Sequence, residues 1–197
     1  MAYQCIYLMR HGHTVLDVEK RSDGWLDMPL SDNGLESVIE AQQYLKLVPL
    51  TKIITADLKR TEQTAKIVES GTISDPKVVV SGEGRTWNLG VIAGTKKRYG
   101  RPEVQRLIDN PTEAPMGGES FNDFKGRFLP WFQKQTVTGL VLYVGSGSNL
   151  RLIAQEYVGD MDELDLDEGG LACLHNMDGK WFCQVIMGPD DTAEEVS

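Results

Sequence analysis

Ile6-Tyr7-Leu8-Met9-Arg10-His11-Gly12-His13-Thr14 is an apolar run that ends abruptly in a cation, an imidazole and a glycine. From Gln4 to Met9 the chain mixes β-branched, aromatic and apolar residues without polar alternation, the pattern of a strand buried on both faces of a parallel sheet. Ligands of open α/β sheets bind beyond the carboxyl ends of such strands, so Arg10 to Gly12 stand where an anion would sit. Arg10 offers a two-donor fork to phosphate oxygens, Gly12 lets the backbone come close to a ligand, and His11 can attack phosphorus through a neutral ring nitrogen. Three common residue types recur by chance, and most histidines do no chemistry. The position at the end of a buried strand is what singles this group out.

Outward from there, the next strand-to-helix junction repeats the pattern. Thr51-Lys52-Ile53-Ile54-Thr55 reads as a short strand, and Ala56-Asp57-Leu58-Lys59-Arg60-Thr61 turns it into a helix. Asp57 is placed to cap that helix, and Arg60 falls in its first turn, where free N–H groups and the helix dipole favour an anion. A solvated side chain is the bland reading of Arg60, but the dipole favours an acid there, so a base asks for another reason. Two arginines at two strand ends make a clamp.

The loop from Arg10 to about Ser31 is long for a compact domain. Arg21 is expected to join the anion site, and Gly24-Trp25 to form a tight turn with an aromatic wall; the plainer alternative is that Trp25 only anchors the loop. Ser31 is a plausible N-cap for a helix carrying Leu35, Val38, Ile39, Gln42 and Leu45 at helical spacing. Lys77 to Val80 and Leu140 to Val144 read as further strands. After the latter, Gly145-Ser146-Gly147-Ser148 opens a helix with a turn that can cradle a phosphate on backbone N–H groups, by itself a weak signal. Phe121, Phe124, Phe128 and Trp131 form a core stripe at helical spacing. Leu171 to Asn176 and Lys180 to Met187 are joined by Met177-Asp178-Gly179, a hairpin signal, and His175 on the first of them reads as structural. The basic run Lys96-Lys97-Arg98-Tyr99-Gly100-Arg101 is either a solvated face or, folded over the strand ends, a reader of a second anionic group.

Composition narrows the class. A chain of 197 residues with 41% hydrophobic residues suits one α/β domain, expected over 1–189, with an acidic and disordered tail over 190–197. The net charge of -9 argues against nucleic acid or an anionic membrane as partner. No apolar run approaches a membrane span, and Met1 to Gln4 show no secretory pattern, so a cytoplasmic protein is expected. Cys5, Cys173 and Cys183 are too few and scattered for a disulfide framework or zinc site and read as core thiols.

Taken in order, Arg10-His11-Gly12-His13-Thr14, Gly24-Trp25-Leu26-Asp27-Met28-Pro29-Leu30-Ser31 with Gly34, Asp57-Leu58-Lys59-Arg60-Thr61 with Gln63-Thr64-Ala65, and Gly118-Glu119-Ser120 resemble the motifs of the histidine phosphatase superfamily, the phosphoglycerate mutase-like group. Trp87-Asn88-Leu89-Gly90 and Gly118-Glu119-Ser120-Phe121 look closer to its phosphatase-like bacterial branches than to glycolytic mutases. The resemblance implies a three-layer sandwich around a single, mostly parallel six-stranded sheet, and phosphoryl transfer without metal or other cofactor through a phosphohistidine. By position it makes His11 the nucleophile and Arg10 and Arg60 the phosphate clamp, the same three residues reached above.

Three chemical positions depart from that family. Ser146 stands where the second catalytic histidine belongs, Asp17 falls on a phosphate-binding asparagine, and Thr86 falls on the glutamate general acid. Gly147 keeps the cradle, and Glu83 or Glu119 are the candidates to stand in as acid, although an exposed structural glutamate is the commoner reading of each. The expectation is therefore a phosphatase of low activity acting on a small phosphorylated substrate, the alternative being an impaired module that binds a phosphorylated ligand or partner. A homodimer is left open.

Overall fold

The structure, a computed structural model, describes residues 4–187, so the expected tail over 190–197 lies outside the described residues. Six strands, β1 (Gln4–Arg10), β2 (Lys52–Thr55), β3 (Lys77–Val80), β4 (Val141–Gly145), β5 (Leu171–Met177) and β6 (Lys180–Met187), form one sheet in the order β3-β2-β4-β1-β5-β6. The first four run parallel; β5 pairs antiparallel with β1 and β6 antiparallel with β5, so β5 alone runs against the others. The hairpin between them turns through Asp178 and Gly179, both at positive φ, as the Asp-Gly pair requires.

Among the described residues there are six α-helices: α1 (Val15–Val18), α2 (Asp32–Leu45), α3 (Lys59–Gly71), α4 (Lys97–Asp109), α5 (Phe121–Thr136) and α6 (Gly147–Tyr157). Alternation along the strands sends one set of side chains to each face. Ile6, Leu8, Val141 and Tyr143 pack with Phe124, Phe128, Phe132 and Leu152 of α5 and α6. Met9, Ile53, Leu142 and Val144 pack with Val38, Ala41 and Leu45 of α2 and Ala65 and Val68 of α3. Central strands buried on both faces explain why β1 and β4 show no polar alternation. Among the described residues no helix is long and apolar enough to cross a membrane.

Ser31 caps α2 through its side chain, accepting from the Gly34 N–H at 3.2 Å. Asp57 does not cap α3, whose N-cap is Leu58 without a side-chain bond; its carboxylate instead takes both donors of Arg85, at 2.6 and 2.8 Å. Gly12 also serves a purpose other than the expected one. A Cβ there would collide with the Gly34 carbonyl and Val38, so the glycine lets α2 lie against the end of β1 rather than a ligand approach the backbone. Two of the three cysteines meet: Cys5 and Cys173 lie side by side, with Cα atoms 6.6 Å apart, while Cys183 stands apart from them. Cys5 pairs with His175 and Tyr7 with Cys173, so the two cysteines are diagonal neighbours on one face, a proximity that their separation of 168 residues conceals.

Candidate active site

Three strand ends and two long-range loops meet in one cavity of about 130 Å³, lined by Arg10, His11, Asp17, Asp23, Arg60 and Ser146 among others. β1 delivers Arg10 and His11. β4 lies beside it with Arg10 opposite Gly145, and the His11 N–H donates to the Gly145 carbonyl at 2.9 Å, which sets Ser146 at the same edge. The turn from β2 into α3 supplies Arg60.

His11 is 2% exposed. Its Nδ1–H donates to the Gly12 carbonyl at 2.8 Å, so the lone pair lies on Nε2, where it accepts from Arg60 Nε at 3.1 Å. Burial first, then the positive charges of Arg60 and Arg10, push this imidazole down to about 3, and it is neutral at any physiological pH. A neutral, tautomerically fixed histidine is the form a nitrogen nucleophile needs.

Arg60 is wholly buried. Its terminal nitrogens donate to the carbonyls of Leu26 and Gly24 at 2.9 and 2.8 Å. Gly24 has φ +50, a conformation that turns its carbonyl toward the guanidinium and that a side chain would strain. Arg10 is held differently, donating to the Leu166 carbonyl at 2.5 Å and to the carboxylate of Glu168. Its Nε is buried and has no partner among the described residues. Gly147 sits over this guanidinium, where an added Cβ would lie 3.6 Å from Arg10 Cζ, so the glycine keeps the approach open.

Two carboxyl groups that composition did not mark as functional complete the pocket. Asp17 closes a capping box on α1, accepting from the N–H and the hydroxyl of Thr14, and its Oδ1 takes Lys97 Nζ at 3.0 Å. Burial would raise Asp17, but the Lys97 ammonium, by its charge and its hydrogen bond, helps to hold the group below the usual carboxylate range. Asp23, 8% exposed, accepts the Thr14 hydroxyl at 2.9 Å. Burial, then repulsion from Asp17, raises it to about 6. Metal-capable atoms of His11, Asp17 and Asp23 lie within 4.8 Å of one another, yet Arg60 already donates to the His11 nitrogen and Lys97 to Asp17.

Of the residues expected here, Arg10, His11, Arg60, Ser146, Gly24 and Gly147 line the cavity. Arg21 does not: it bridges to Lys96 across the loop and spends its guanidinium on Glu19 and the Gly94 carbonyl. Trp25 is also outside. Its indole N–H donates to the Thr86 carbonyl at 2.7 Å and its ring lies under Arg85, so it anchors the loop, the plainer of the two readings. Neither glutamate lines this cavity. Glu83 is exposed in a 3-10 turn, and Glu119 is engaged by Arg127 and the Asn88 N–H. Thr86 does line the cavity, 4% exposed. Of the basic run, Lys97 reaches the pocket and also contacts Glu168 at 3.3 Å.

Glu168 and Asp23 were missed as site residues, whereas Lys97 belongs to the basic run expected near the strand ends. The Gly169-Gly170 pair before β5 was the available signal for Glu168: β5 is antiparallel to β1, so its first residues must lie at the Arg10 end. No local pattern marks Asp23.

Comparison with known proteins agrees with this geometry. The chain is 28% identical over 220 residues to a 2,3-bisphosphoglycerate-dependent phosphoglycerate mutase of Methanosarcina mazei, covering 89% of this chain and 91% of the relative. Its fold superimposes on a phosphoglycerate mutase from Bacillus anthracis with a TM-score of 0.77 at 19% identity, covering 93% of this chain and 92% of the other. A mycobacterial glucosyl-3-phosphoglycerate phosphatase gives 0.75 at 21%, covering 93% and 98%. The family model of the histidine phosphatase superfamily, branch 1, matches residues 6–187, and with the buried histidine between two arginines at the strand ends, the chain belongs to that superfamily.

Proposed function

We propose that one domain over 1–189 hydrolyses a small phosphomonoester slowly, through a phosphohistidine on His11 with Arg10 and Arg60 on the phosphoryl oxygens. The observation that carries this reading is the His11 ring: buried, neutral, and fixed with its lone pair on Nε2 beside the Arg60 guanidinium. Phosphoryl transfer asks a protein mainly for positioning and for neutralisation of the equatorial oxygens, which two converging arginines supply. The relatives' names point the same way, since each acts on a phosphorylated small molecule. Low activity follows from Ser146 and Thr86, because a missing donor costs about 10²- to 10³-fold and a missing general acid about 10²- to 10⁴-fold.

The second reading, a pocket that binds a phosphorylated ligand without efficient turnover, is favoured by the contacts of Glu168 with Arg10 and of Asp17 with Lys97, which already engage two of the pocket's cations. Alkaline quench after mixing with p-nitrophenyl phosphate distinguishes the two. Turnover predicts an alkali-stable, acid-labile phosphohistidine that His11→Ala abolishes, and Ser146→His should raise the hydrolysis rate by at least about tenfold, a part of the roughly 10²-fold that one well-placed donor is worth. Phosphate binding with no phosphoenzyme in either protein would favour the binding module.

A further inference from the structure

We propose that Asp23 is the acid and base of this site: its carboxyl group gives a proton to the leaving oxygen of the phosphomonoester and then takes one from the water that cleaves the phosphohistidine. The assignment rests on the phosphohistidine reading above. Its ground is the geometry of the cavity. The two carboxyl groups among the lining residues are Asp17 and Asp23. Asp17 is engaged on both oxygens, taking the Thr14 N–H on Oδ2 and Lys97 on Oδ1. The one hydroxyl proton of Thr14 lies between Asp17 Oδ2 at 3.1 Å and Asp23 Oδ1 at 2.9 Å, and Asp23 Oδ2 accepts nothing from the described residues. One carboxylate is thus fixed as an anion, and beside it a second keeps an oxygen free for a proton, with His11 within 4.8 Å of both.

Electrostatics supports that division of labour. Burial and the Asp17 charge raise Asp23 to about 6, against the pull of Arg60 and of the Thr14 hydroxyl. The other charged groups on the pocket are Arg10, Lys97 and Glu168, themselves linked to one another. A general acid works best when its pKa lies near the operating pH. Thr86 has no proton to give in that range, and Glu83 and Glu119 lie outside the cavity.

The two half-reactions balance. In the first, the His11 Nε2 lone pair forms the N–P bond, the ester P–O bond breaks, and the departing oxygen takes the Asp23 proton. In the second, water attacks phosphorus and gives a proton to the Asp23 carboxylate, and the P–N electron pair returns to Nε2 as inorganic phosphate leaves.

Leaving groups separate this role from a structural one. Asp23→Asn should lower kcat/KM for glycerol phosphate by about 10²-fold or more and for p-nitrophenyl phosphate by less than about fivefold, because nitrophenolate leaves without a proton. Asp23→Glu should recover part of the loss. With glycerol phosphate the parent rate should fall as pH rises through about 6, and the Asn variant should lack that limb. Equal loss on both substrates, or a limb that survives in Asp23→Asn, would overturn the assignment. So would a phosphoenzyme formed from glycerol phosphate at the parent rate in Asp23→Asn. If the parent itself forms no phosphoenzyme from p-nitrophenyl phosphate, the phosphohistidine reading fails and the assignment falls with it.

Discussion

The two arginines of the pocket are held in opposite ways. Arg60 is wholly buried at the start of α3, and its partners are two carbonyls and an imidazole nitrogen. Arg10 is 15% exposed at its side chain and is paired with a carboxylate, Glu168, itself 9% exposed. Carbonyls fix the direction of a guanidinium and leave its net charge to act on a ligand, whereas a carboxylate cancels that charge. Arg60 is therefore part of the fold as well as of the site. Arg10 becomes fully available to an anion only when Glu168 releases it, and Lys97, shared between Asp17 and Glu168, is in the same position.

The largest expected effect lies on the Arg60 side. Arg60→Ala leaves two carbonyls and His11 Nε2 without their donor and opens a cavity under the Gly24 loop, and it should cost about 3 kcal/mol of stability as well as phosphate binding. Arg10→Ala should remove binding equally but cost half that stability or less, because Lys97 still faces Glu168. Denaturant unfolding of the two variants checks this. Equal destabilisation would sink the asymmetry.

The next effect tests the carboxylate. Glu168→Gln keeps the shape and removes the charge that competes for Arg10, so inorganic phosphate should bind about tenfold more tightly, about 1.4 kcal/mol. Titration calorimetry at fixed ionic strength measures it. Unchanged affinity would mean that Glu168 offers no competition to the anion.

What was legible in the sequence had a local cause. The Ser31 cap, the aromatic stripe of α5, the buried run of β1 and the Asp178-Gly179 hairpin are each written within a few residues, and so were Arg10-His11 and Arg60, because strand ends and helix starts can be read from short patterns. What was missed depends on partners far apart in the chain. Glu168 meets Arg10 across 158 residues, and Lys97 meets Asp17 across 80. The approach of Cys5 to Cys173 has the same origin, the antiparallel docking of β5 on β1. That Arg21 and Trp25 lie outside the cavity could not be read locally, because a loop sequence shows which residues are present but not which way they turn. The place of Glu83 and Glu119 outside the cavity was hidden for a similar reason, since Arg127, which engages Glu119 and the carbonyl of Glu83, sits 44 residues beyond the latter.

The smallest expected effect concerns the rest of the basic run. Lys20, Lys96, Lys97, Arg98 and Arg101 line a groove of about 480 Å³ beside the pocket, with Glu19 as the acid among them. Lys96 is spent on the Glu19 carbonyl at 2.7 Å, whereas Arg98 and Arg101 are exposed, Arg98 lying over the Tyr99 ring. Exposed charges of this kind contribute about 1 kcal/mol or less and are screened by salt. Arg98→Gln with Arg101→Gln should therefore weaken a bisphosphorylated ligand by about two- to fivefold and leave inorganic phosphate unaffected, with the difference fading at high salt. Because Lys97 joins the groove to the pocket and is restrained by Glu168, the same pair of substitutions should weaken the bisphosphate further in a Glu168→Gln background, where Lys97 is freer to bridge the two anionic groups. Equal weakening of both ligands, or an effect blind to Glu168, would reduce the run to a solvated face and confine recognition to Arg10, Arg60 and Lys97.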